Sequence, residues 1–240
     1  MRLMGAMEKI ICQAGKNQAT ILETRGDKNV VEVSLGEGAK LFLLNLANGS
    51  GTQLNIHFAK DSQAKIFFVQ AGQASAYGVD AVLAAEGASA EVHGVFIGKG
   101  DGNGNTSMNV VLRVPHTKSA VSMHRLLKGS SASNFHGTIK ITKAAQNSDS
   151  FLEDRALMVG DMAKAFSVPS LVIDANDVKA GHSASIGSID PAQLFYLQTR
   201  GPDAAGAAQL IAEGFFQPLF AKIEKEEHRN QLRRVIEGIL

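Results

Sequence analysis

Short strand-like runs return throughout residues 18–188 of this 240-residue chain, with no helical stretch between them. Residues 53–58 show the pattern. Leu54, Ile56 and Phe58 share one parity while Gln53, Asn55 and His57 take the other, the period-two alternation of a half-buried strand. Comparable runs at 19–23, 30–33, 40–46, 65–70, 91–97, 107–114, 138–142 and 170–174 predict further strands. A phrase recurs between them, a small or turn residue and then an alanine leading into a strand, at Ala39, Ala64 and Ala88, spacings of 25 and 24 residues. It returns less regularly at Ala120 and Ala163. A repeat of that length marks stacked units. The period alone leaves two architectures open, a β-solenoid and an ordinary β-sandwich. Glycine at 24 residues against 5 prolines suits the tight corners of either.

Several classes of function are excluded at this stage. With 24 Lys and Arg against 23 Asp and Glu, a net charge of +1, the chain lacks the basic excess of a nucleic-acid binder. One cysteine, Cys12 in a short N-terminal strand, permits neither an internal disulfide nor an all-cysteine metal cage. The N-terminal apolar run is broken by Glu8 and Lys9, which makes a poor signal sequence, and no apolar run nears the ~20 residues of a membrane span. The expectation is a cytoplasmic protein without membrane contact.

After residue 189 the period changes. Asp190 and Pro191 read as N-cap and first turn of a helix carrying Leu194, Phe195 and Leu197 on one side and stopped by Gly201-Pro202. A second helix starts at Asp203 and is ended or kinked by Pro218. A third follows a solvated run at 224–229, with Leu232, Val235, Ile236 and Ile239 at helical spacing. The reading is therefore a β-domain at 1–188 and a helical domain at 189–240, whose short helices need either the β-body or a partner to rest on.

Chemical motifs are sparse. The segment 98–105 has glycines and Asp101, Asn103 and Asn105, yet it lacks the Lys-Ser/Thr ending of a phosphate loop and has Leu112 where a calcium loop needs Glu, so a plain turn is expected and no nucleotide is assigned. Seven histidines are scattered without a zinc spacing, although His116 and His124 would share a face if both lay in one strand. No nucleophile elbow is present. Paired carboxylates such as Glu153 and Asp154 would serve a solenoid carbohydrate-active enzyme, yet as strand neighbours they face opposite ways. His182 stands out because small residues, Gly181, Ser183 and Ala184, leave its imidazole accessible.

The stretch Asp177-Val178-Lys179-x-x-His182-x-Ala184-x-x-Gly187, followed by Gln193-Leu194-Phe195-Tyr196-Leu197 and Arg200-Gly201, resembles the core of the SufB/SufD family of iron–sulfur cluster assembly proteins. His116-Thr117-Lys118-Ser119, the run 134–141, the run 157–161, Pro169 and Gly214-Phe215 extend the resemblance over residues 116–216. It implies a mainly β protein, a right-handed parallel β-helix with a small C-terminal helical domain. It implies dimerisation through the β-helix, with a SufB-like subunit or a second copy, and docking of the ABC-type ATPase SufC on the helices. Gln193, Leu194, Phe195, Tyr196, Arg200 and Phe215 then become partner-binding residues, and His182 a ligand for iron or a transient iron–sulfur cluster shared across a dimer. The role implied is non-enzymatic. Two departures stand against a complete site: Ala180 where the family often has cysteine, and Asp154 where the SufB branch carries its cluster-building cysteine. A degenerate interaction module without metal handling is the alternative reading.

Overall fold

The computed structural model describes residues 7–26, 28–71 and 74–239. Residues 1–6, part of the run read as a poor signal sequence, lie outside the described residues. Fourteen strands form two parallel sheets. The odd sheet runs in the order β1 (Met7–Cys12), β3 (Asn29–Leu35), β5 (Gly51–Phe58), β7 (Ala74–Leu83), β9 (Asn103–Leu112), β11 (Ala132–Ile141) and β13 (Lys164–Ile173). The even sheet runs from β2 (Asn17–Thr24) through β4 (Lys40–Ala47), β6 (Gln63–Ala71), β8 (Ser89–Gly98), β10 (Lys118–Leu127) and β12 (Ser148–Met158) to β14 (Val178–Ser188). Parallel neighbours require a crossover, commonly a helix. Here each crossover is a strand of the other sheet, so the chain winds as a β-solenoid and the sandwich alternative falls away.

The register explains why the repeat is blurred in the sequence. Asn17 lies beside Lys40, a step of 23 residues, whereas Lys118 lies beside Asp149, a step of 31. The coils lengthen along the chain, and the repeated alanines do not form one column. Ala39, Ser62, Ala88 and Thr117 precede the aligned residues Lys40, Gln63, Ser89 and Lys118 and are fully buried at one corner. Ala64 belongs to the next row, level with Leu41 and Ala90.

A second column fixes that corner. Gly15, Gly38, Asp61, Gly87, His116 and Asn147 all take positive φ, between 56° and 74°. Most donate their amide to the residue just before the next member: Gly15 to the Glu37 carbonyl at 2.7 Å, Gly38 to Lys60 at 2.9 Å, Asp61 to Glu86 at 2.9 Å and His116 to Gln146 at 3.1 Å. Left-handed backbone costs an ordinary residue roughly 1–2 kcal/mol, so glycine, Asn and Asp are the usual occupants.

Inward parity builds the main core. Val31, Val33, Leu54, Ile56, Val79, Val92, Val110 and Ile139 pack between the sheets. Some positions admit no side chain at all. A Cβ on Gly94 would lie 2.4 Å from Phe68 and 2.6 Å from Met123 Sδ. Several polar groups inside are paired: Tyr77 donates to Asn45 Oδ1 at 2.6 Å, and burial pushes its hydroxyl pKa up. Toward the last coils a fully buried Arg125 donates from Nε to Asp154 Oδ1 at 2.9 Å and from Nη2 to Oδ2. Its Nη1 also reaches the Ser133 and Phe166 carbonyls of the odd sheet, each at 3.0 Å.

Three helices follow. α1 (Pro191–Gln198) is capped by Asp190, which accepts from the Ala192 amide at 2.9 Å, and α2 (Ala204–Phe220) by Asp203, which accepts from Gly206 at 2.8 Å. Pro218 ends nothing at once, since α2 continues two residues beyond it. The run 224–229 is not wholly solvated, because α3 (Glu226–Ile239) starts inside it and buries His228. α2 and α3 rest on the β-body, in a separate core where Phe216, Leu219, Leu232 and Ile236 meet Leu44, Phe67, Val95 and Leu126 of the even sheet. Those even strands are buried on both faces, which explains why burial is continuous over 92–98 of β8 and 121–127 of β10 rather than alternating. No described helix is long and apolar enough to cross a membrane.

Removing one partner of the buried ion pair strands a charge, which costs roughly 3–5 kcal/mol. Asp154→Ala is expected to lower the urea midpoint accordingly, whereas the double variant Arg125→Met/Asp154→Leu recovers most of the loss. Equal midpoints for Asp154→Ala and the unmodified chain would contradict this.

Candidate functional site

Residues 178–188 form one continuous strand rather than a strand and turn centred on His182. β14 pairs only with β12, in a register that sets Leu152 beside His182 and Asp154 beside Ala184. Paired residues of parallel strands share a face, and Leu152 belongs to the core. His182 therefore stands on the inward face of the even sheet but in its last strand, where no further coil covers it, and it is exposed. Its accessibility comes from this position at the end of the stack as much as from its small neighbours.

The same end presents apolar surface. Phe166 is 59% exposed on β13, Val168 48%, and Ile186 of β14 42%. β13 and β14 are each bonded on one edge only. Pro169 sits in β13, an edge strand being the place where a missing amide donor is tolerated.

The remaining candidates divide. Phe195 and Tyr196 of α1 are 69% and 56% exposed, and Arg200 Nη2 donates to the Tyr196 hydroxyl at 3.2 Å while its guanidinium lies 5.2 Å from that ring. Phe195 thus points away from Leu194 and Leu197 rather than sharing their side. α1 buries none of its residues. Leu194 lines a cavity of about 420 Å³ beside Met158 and Ala208, while Gln193, Leu197 and Phe215 line one of about 480 Å³ beside Leu157 and Leu210. Phe215 turns toward the sheet, its ring 5.4 Å from His124 and 5.5 Å from the Arg155 guanidinium.

The two histidines proposed to share a face do not. His116 is a left-handed corner residue with an exposed side chain, and the neighbouring Thr117 hydroxyl donates to the Val114 carbonyl at 3.1 Å. His124 lies in β10, fully buried under α2. The His-Thr-x-Ser phrase is therefore a corner. Spacing could have exposed it, since 15, 38, 61, 87, 116 and 147 rise by the same lengthening step as the strands. Asp154 is consumed by Arg125 and Glu153 faces the other way, so this pair does not converge for acid–base chemistry. Residues 99–102 are a turn and β9 begins at Asn103.

Cys12 sits in β1, at the opposite end of the stack from β14. It is fully buried, its thiol reaching the Lys16 and Lys40 carbonyls at 3.5 and 3.6 Å, and burial raises its pKa. Among the described residues no three His, Cys, Asp or Glu side chains gather as a metal site. His182 brings a single imidazole to its surroundings, which does not make a cluster cage within one chain.

A parallel β-solenoid with a helix layer on one sheet and an accessible histidine in its final strand defines the class to which the chain can be compared. Residues 6–215 match the family described as SUF system FeS cluster assembly, SufBD core domain, and the chain belongs to that family. It is 33% identical over 155 residues to the iron–sulfur cluster assembly protein SufD of Bacillus subtilis, a match covering 65% of this chain and 36% of that protein. A SufBD family protein of Mycobacterium tuberculosis is 35% identical over 159 residues, 63% of this chain and 40% of the relative. One from Mycobacterium leprae is 29% identical over 156 residues, 65% and 18% respectively. The chain therefore corresponds to well under two thirds of each relative's length.

If His116 is a corner residue and no ligand, His116→Gly leaves the thermal midpoint unchanged or raised, and His116→Val lowers stability by roughly 1–2 kcal/mol. A Val variant as stable as the Gly variant would remove the corner assignment.

Proposed function

We propose that this chain is a non-enzymatic subunit of the SUF iron–sulfur assembly machinery, pairing through the open last coil of its solenoid and docking the ABC-type ATPase SufC on α1. The observation that carries this reading is the coincidence of an accessible His182, unpaired strand edges and exposed apolar residues at one end of a SufBD-family solenoid. Pairing β13 and β14 with a SufB-like subunit, or with a second copy, satisfies the free backbone groups and covers Phe166, Val168 and Ile186. That pairing brings His182 to donors on the other chain. The cluster, as cargo, then takes one imidazole from here and its remaining ligands, thiolates in most protein-held clusters, from the partner.

The ATPase surface follows by subtraction. α2 and α3 have their apolar faces on the even sheet, so they need no partner for stability. Phe195 and Tyr196 remain outward on a helix that buries nothing, the arrangement of aromatic anchors at an interface. The compartment implied is the cytoplasm.

The test is anaerobic co-purification of the chain with a SufB-like subunit and SufC. Phe195→Ala/Tyr196→Ala is expected to reduce recovered ATPase at least tenfold while retaining the other subunit. His182→Ala is expected to keep both partners and to lower bound iron and acid-labile sulfide severalfold. Full iron content with His182→Ala, partners retained, favours the degenerate module without metal handling. Loss of neither partner on mutating α1 overturns the docking assignment.

A further inference from the structure

We propose that the layer joining α2 and α3 to the even sheet is an acid-sensitive latch, closed while His93 and His124 are neutral and released when they take up protons. Neither histidine belongs to the last coil or to α1, so the proposal does not depend on the partners assigned above. His124 is fully buried with neither ring nitrogen hydrogen-bonded, and the rings of Phe215 and Phe216 lie 5.4 and 6.5 Å away. An unpartnered imidazole in an apolar layer is tolerable only uncharged. The charged groups acting on it are Arg155 from β12, Lys222 from the segment after α2, and His93 from β8, each cationic or able to become so.

His93 is equally buried. Its Nδ1 lies 2.7 Å from the Ser122 hydroxyl, its ring 4.8 Å from Phe67, and its Nε2 3.5 Å from Glu91. Lys65 of β6 and Lys222 oppose protonation there, and Glu91 favours it. Burial outweighs the carboxylate and holds its pKa below the ordinary value. From α3 the layer receives His228, stacked on Phe42 at 4.3 Å, and Arg233 over Phe220.

This layer is a core of its own, separate from the solenoid interior, so the helices can lift without opening the sheets. Burial pushes His124 down to about 3. Once lifted, an exposed histidine returns to about 6.5 and the lifted state binds the extra proton. Latch stability is therefore complete above about pH 7 and falls as the pH drops through 6.5. Between pH 7.5 and 5.5 the opening constant rises about tenfold through His124, and His93 adds to that rise in the same direction.

Amide hydrogen exchange on the full chain at pH 7.5 and 5.5, corrected for the intrinsic rate, reads this directly. In the unmodified chain the opening constants of α2 and α3 are expected to rise at least about tenfold more than those of β6 to β11. His124→Leu should remove about tenfold of that rise, and His93→Gln/His124→Leu should flatten it. His124→Phe, which keeps a ring of similar size, serves if the leucine loosens the layer. An undiminished rise in both His124 variants, or β-strand amides opening in step with the helices, would overturn the latch.

Discussion

Every other feature of this molecule depends on lateral hydrogen bonding between successive coils in strict register. A strand in the middle of the stack is bonded on both edges and covered inside by neighbours of the same parity. Stability is therefore a sum of nearest-neighbour interfaces, and no coil is stable alone. The left-handed corner column from Gly15 to Asn147 keeps the register as the coils lengthen from 23 to about 31 residues, because most of its corners donate their amides to the coil that follows. Lengthening without such a column would let the sheets slip, and a slip of one residue would turn the core outward.

Two consequences follow for where function can sit. The outward face of the even sheet is used up in holding α2 and α3, an apolar layer with two buried histidines in it. The end of the stack cannot be used up from within, since the last strands always keep an unpaired edge. In this chain that end carries His182, Phe166 and Ile186 together, while the chain's sole cysteine is locked into the first coil.

How far the sequence revealed this varied by element. Strands of the odd sheet were the most legible: one face meets water, so Leu54, Ile56 and Phe58 alternate cleanly. β7 of the odd sheet and β10, β12 and β14 of the even sheet escaped detection, the last three for different reasons. β10 is buried on both faces and β12 places Arg125's partner Asp154 inside, so each breaks alternation. β14 is small and polar because nothing covers it. Helix starts were readable from Asp190-Pro191 and Asp203, where local capping decides the structure. His124 was misplaced because strand parity cannot reveal a helix layer arriving from more than 80 residues downstream, and His116 because corner residues carry no hydrophobic signal. The family resemblance carried by residues 116–216 reached further than any period, and the match over residues 6–215 extends it upstream.

The central claim is that the stack is closed in its middle and open at its last coil, where the proposed partner would pair. Amide exchange of β13 and β14 measured against β8 to β11, alone and with a SufB-like subunit added, tests it most directly. The account predicts last-strand amides exchanging far faster than central ones in the isolated chain, then slowed selectively by the added subunit. Uniform protection of all strands in the isolated chain, or protection by the subunit away from the last coil, would contradict it.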